Sequence, residues 1–147
     1  MNSLTRSFLL CLAFVATGTQ AAAPDQLLVG CWRAVKIVQR TQGSPKMEDT
    51  SGRCTLQFSD DQLTSTCGTA SGKAVTSTYR YRIDRPGVYL ATMAGSTYRT
   101  DLIGSARAYE YRVDGDRLTT ATTLKPSGAS PTVAIRVETE AARAACQ

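Results

Sequence analysis

The chain has 147 residues, no histidine, five cysteines, and 17 lysines and arginines against 12 aspartates and glutamates. The missing histidine removes the commonest general base and metal ligand. The formal net charge of +5 falls short of the dense basic stripe that nucleic-acid binding requires.

Residues 1–21 read as a signal peptide. Arg6 supplies a positive start, "SFLLCLAFVA" an apolar core too short to span a bilayer, and Thr19-Gln20-Ala21 a small-x-small cleavage site before Ala22. Cys11 follows Leu10 rather than the small residue a lipid-modified cysteine needs, so it belongs to the apolar core. Residues 22–147 then form one domain, and losing Arg6 leaves 16 basic against 12 acidic residues, a net +4. No second apolar run is long enough to cross a membrane. Cys31, Cys54, Cys67 and Cys146 remain, an even set that behind a signal peptide implies two disulfides and a periplasmic or secreted protein.

Between Val29 and Val137 the pattern is all-β: short alternating runs cut by turn residues. "VGCWRAVKIV" opens the first strand and "RTQGSPKMEDTSG" is a long loop after it. "RCTLQFSDDQLTSTCG" reads as a hairpin about Asp60-Asp61, with Phe58 opposite Leu63, Leu56 opposite Ser65 and Cys54 opposite Cys67. Counted from the turn, the cysteine pair is a non-hydrogen-bonded one, where Cα atoms lie about 4.5 Å apart, close enough for a disulfide. Of the three possible pairings this favours Cys54–Cys67, leaving Cys31 for Cys146. A four-cysteine zinc site is the rival, but no C-x-x-C spacing supports it.

"KAVTSTYRYRID" puts Val75, Tyr79, Tyr81 and Ile83 on one face and turns at Pro86-Gly87, as a type II turn allows, into "VYLATM". "STYRTDLI" reads as a further strand. "AYEYRVDGDRLTTATTL" reads as a hairpin turning at Asp114-Gly115, which sets Tyr111 opposite Leu118 and Arg112 opposite Arg117. "KPSGASP" is a loop, "TVAIRVE" the last strand, and the alanine-rich "TEAARAACQ" a short tail of one or two helical turns. Eight or nine strands in series make a small up-and-down antiparallel β-barrel the simplest closed solution.

Gly30-Cys31-Trp32 at the start of the first strand, the long loop after it and the successive hairpins resemble the lipocalin and broader calycin barrels. That resemblance implies that Trp32 closes the barrel floor beneath an arginine near the end of the last strand: Arg136 first, Arg143 second. An inward Trp32 puts Cys31 outward, where the C-terminal tail can reach it with Cys146.

Tyr79, Tyr81, Tyr109 and Tyr111 fall on inward faces above Trp32. Either they fill a small barrel, or with Trp32 they line a pocket for an aromatic or amphipathic ligand. Arg80, Arg82, Arg112 and Arg117 lie on outer faces as solvated cations. The aspartates sit at turns, and no nucleophile motif, phosphate loop or metal spacing occurs. The expectation is therefore a binding protein for a small apolar or amphipathic molecule, not an enzyme, with no cofactor and no metal. The alternative is a secreted inhibitor or immunity-type protein that blocks an envelope-targeting enzyme through its loops, with the loop from Arg40 to Arg53 as a lid or partner-binding finger.

Overall fold

A computed structural model describes residues 24–125 and 133–146. The signal-peptide reading, on residues 1–21, lies outside the described residues. Among the described residues nine antiparallel strands follow in chain order: β1 Gly30–Thr41, β2 Met47–Asp49, β3 Cys54–Phe58, β4 Gln62–Gly68, β5 Ala74–Arg85, β6 Val88–Ser96, β7 Ala106–Asp114, β8 Arg117–Leu124 and β9 Ile135–Ala144. From β3 to β9 each strand pairs with the next, and β1 pairs with both β3 and β9, so eight strands close into a barrel. Closure covers most of the sheet edge that could otherwise pair with other chains.

β2 is the ninth strand. It lies on β1 beyond β3, with Val38 opposite Glu48, while β3 pairs only with Gly30–Arg33. The stretch expected to be a long loop is thus a small hairpin laid along β1 rather than a free lid. Lys36 and Lys46 both approach Glu48, at 3.3 and 3.2 Å, and hold its carboxyl below the usual range.

The β3–β4 hairpin has the register read from the sequence, with Phe58 opposite Leu63, Leu56 opposite Ser65 and Cys54 opposite Cys67. Both expected disulfides form: Cys54–Cys67 with Cα atoms 4.0 Å apart, and Cys31–Cys146 at 5.2 Å. Gly87 has φ +76° at the second central position of its turn, as a type II turn demands.

Three sequence expectations are corrected. The β7–β8 turn centres on Gly115-Asp116, pairing Val113 with Leu118 and Tyr111 with Thr120. Gly115 supplies the positive φ, +58°, at the first central position, which matches the strand twist better than the expected placement one residue earlier. "STYRTDLI" is mostly a connection: β6 ends at Ser96 and a 3₁₀ turn spans Thr100–Leu102. There the Ser96 hydroxyl accepts from the backbone N–H groups of Tyr98 and Arg99, and Arg99 forks onto Asp101 at 2.7 and 2.9 Å, bonds that draw the chain away from the ladder. The alanine-rich tail is strand to Ala144, not helix. Ala141 is 2% exposed beside Leu118, so tertiary packing of a small side chain overrides alanine's helical preference.

Candidate functional site

One end of the barrel is solid. Gly30 has φ +126°, and a Cβ there would lie 2.7 Å from an Arg143 guanidinium nitrogen, so only glycine suits the position. Trp32 is fully buried, and its Nε1 donates to the Leu28 carbonyl at 2.9 Å. Arg143, opposite Trp32 across β1 and β9, lays its guanidinium 4.1 Å from the ring centroid. The same group donates to the carbonyls of Val29 (3.1 Å) and Leu27 (2.9 Å), pinning the incoming chain beneath the barrel.

The arginine over the tryptophan is therefore Arg143, and the first choice, Arg136, is corrected. Arg136 lies seven residues back along β9, about 23 Å up the strand and on the opposite face. There it joins an outer network, reaching Glu138 at 3.0 Å and Glu110 at 3.1 Å. Cys31 faces outward as expected, 8% exposed beneath the Cys146 bridge.

Above the indole the interior is aromatic. Phe58, Tyr81 and Tyr89 meet edge to face, with centroids 5.4 to 5.9 Å apart, and Tyr89 stacks on Tyr109 at 5.0 Å. Such pairs contribute about 0.5–1.5 kcal/mol each beyond burial. The expected site residues consequently separate. Trp32 and Tyr81 belong to the closed core, with the Tyr81 hydroxyl donating to the Ser59 carbonyl at 2.6 Å. Tyr111 gives its hydroxyl to Asp25 at 2.7 Å at the solid end, and burial together with that bond raises its pKa well above the tyrosine range. Tyr79 and Tyr109, both half-buried, pack on top of the core. Burial pushes the Tyr109 hydroxyl up, the neighbouring Tyr79 adds to this, and the Arg107 guanidinium beside it opposes.

Among the described residues the other end is open, and its wall is split. β7 and β8 pair only from Glu110–Ala121 down to Asp114–Arg117. Above that point β7 stays with β6 through Ala106, while Thr122–Leu124 of β8 stay with β9. The Thr122 hydroxyl bridges the split, donating to the Ala108 carbonyl at 2.8 Å. A groove of about 910 Å³ runs along the split. Leu102, Leu124 and Ile135 give it apolar wall, and Arg107, Arg99 and Lys125 give it charge. The sequence signal for Arg107 was the alternation of "ARAYEYRV", which puts Arg107 on the same inward face as Tyr109 and Tyr111.

No family model matches the chain, and no curated protein matches it. Among solved structures it is similar to a lipocalin-like protein from Bacteroides uniformis, with 9% identity and a TM-score of 0.50 over 80% of this chain and 98% of that one. A protein from Bacteroides eggerthii is similar at 10% identity and a TM-score of 0.48, over 79% and 98% of the two chains. By its closed eight-strand wall and its likeness to the Bacteroides uniformis structure, the chain has a lipocalin-like barrel fold.

Proposed function

We propose that this is an exported binding protein that takes a small apolar or amphipathic molecule at the open end of its barrel, and that it acts by binding rather than by catalysis. One observation carries the reading: an interior packed solid from Trp32 to Tyr89 gives way at the split β7–β8 wall to a groove of about 910 Å³, within the usual size range of small-molecule sites. The two disulfides support a location outside the cytoplasm, periplasmic or secreted, and the Bacteroides uniformis neighbour is itself described as lipocalin-like. Among the described residues no helix is long and apolar enough to cross a membrane.

Native mass spectrometry of the mature protein, with a thermal-shift panel of lipids and small aromatics, tests the reading. Saturable one-to-one binding that raises the melting temperature is expected. A panel without a single binder, on protein whose disulfides are intact, would overturn it.

A further inference from the structure

We propose that the groove along the β7–β8 split selects an anionic amphiphile, with the acidic head held by Arg107 and Lys125 and the tail laid on Leu102, Leu124 and Ile135. This rests on the binding reading above and narrows it to a ligand class.

Among the described residues five cations line the groove, against the single carboxylate of Glu110. Three of the five are engaged: Arg85 with Asp84 at 3.2 Å, Arg99 with Asp101 at 2.7 Å, and Arg136 with Glu110 and Glu138. Arg107 and Lys125 have no carboxylate within 4 Å among the described residues. Arg107 is also the cation that stands inside the wall. It is opposite Ala91, which is 2% exposed, and two residues before the half-buried Tyr109. A guanidinium drawn partly out of water binds a carboxylate or phosphate-like head more strongly than an exposed one does, and its fork fits such a head.

The backbone adds donors. Ser105 and Tyr111 turn their backbone groups toward β6, through Met93 N–H to the Ser105 carbonyl and Tyr111 N–H to the Gly87 carbonyl. Strand alternation therefore directs the N–H groups of Ala106 and Ala108 toward the split, where no β8 ladder meets them. The Thr122–Ala108 bridge keeps the strands too close for an inserted peptide strand, which needs about two strand spacings of about 4.8 Å. A small molecule suits the space better.

Calorimetric titration of the mature protein with dodecanoate, dodecanol and dodecyltrimethylammonium separates head from tail, because the three share one chain. Dodecanoate is expected to bind roughly tenfold or more tighter than the other two, the size of a charge-assisted hydrogen bond. The preference should disappear in Arg107→Gln and shrink in Lys125→Gln, at unchanged melting temperature, while Arg82→Gln on the outer wall leaves it intact. Equal affinity for the three probes, or a preference that survives the Arg107→Gln/Lys125→Gln double variant, overturns this inference and leaves a barrel that binds apolar chains. Failure of all three to bind overturns this inference, and the binding reading falls with it only if the wider panel of lipids and small aromatics also yields no binder.

Discussion

Replacing Arg143 by methionine removes the guanidinium and keeps most of the apolar stem. Three interactions go with it: the stack on Trp32 at 4.1 Å and the two bonds to the Leu27 and Val29 carbonyls. A half-covered cation–π contact contributes about 1 kcal/mol. A buried charged hydrogen bond contributes about 1.5–3 kcal/mol, but the Arg143 side chain is 35% exposed, so about 1 kcal/mol each is the fair figure. The Asp116 carboxylate, 3.8 Å away and 89% exposed, adds next to nothing. The expected loss is about 3 kcal/mol, or roughly 10 °C of melting temperature for a domain of this size. Arg143→Lys keeps the charge but cannot reach two carbonyls and the ring together, and should lose about half as much. Arg136→Met, in an exposed network, should cost under about 1 kcal/mol. Urea unfolding followed by the emission of Trp32, the single tryptophan, measures all three. A methionine variant within about 0.5 kcal/mol of the parent, or Arg136→Met costing as much as Arg143→Met, would refute the reasoning.

Gly30→Ala places a methyl against the Arg143 guanidinium in a backbone region that L side chains rarely adopt; a loss above about 2 kcal/mol is expected by the same unfolding assay. Removing Cys31–Cys146 by paired alanines frees a span of 115 residues, and removing Cys54–Cys67 frees one of 13. Loop entropy then predicts losses of about 5 and about 3 kcal/mol, and the reverse order would contradict the chain-entropy account. Burial raises the pKa of Tyr81, Tyr89, Tyr109 and Tyr111, helped at Tyr81 by Asp60 and at Tyr111 by the bond to Asp25. A folded-state pKa above the unfolded value of about 10 means that the unfolded chain releases protons first. That stability is full below pH 10 and declines above it, so absorbance at 295 nm should show these four ionising together with alkaline unfolding. Smooth ionisation of all six tyrosines in a folded barrel would oppose this.

The β3–β4 hairpin was legible because five alternating residues, a two-residue turn and two cysteines all fixed one register. Gly30-Cys31-Trp32 likewise carried the barrel floor, since the φ of +126° beside the arginine is one that L side chains rarely adopt. Which arginine was less legible: Arg136 and Arg143 differ by an odd number of residues and so point to opposite faces, but the end of β9 was hidden by alanines that favour helix in isolation. The split in the wall left no local mark, because Ala106–Tyr109 and Thr122–Leu124 alternate as well as any paired strand. Whether two strands stay together or part depends on their other neighbours. Of the expected ligand-facing aromatics, periodicity gave the inward face correctly but not the depth, and depth is what divides Trp32 and Tyr81 from Tyr79 and Tyr109.

The most direct test of a solid floor beneath an open, split mouth is a ¹⁵N-resolved NMR titration of residues 22–147 with dodecanoate. The account predicts shifts in the amides of Arg107, Ala108 and Thr122–Leu124, with the Trp32 indole N–H still bonded to Leu28 and unmoved. Movement of the indole and Tyr81 signals, with the β7–β8 amides silent, would place the ligand in the core and contradict the account.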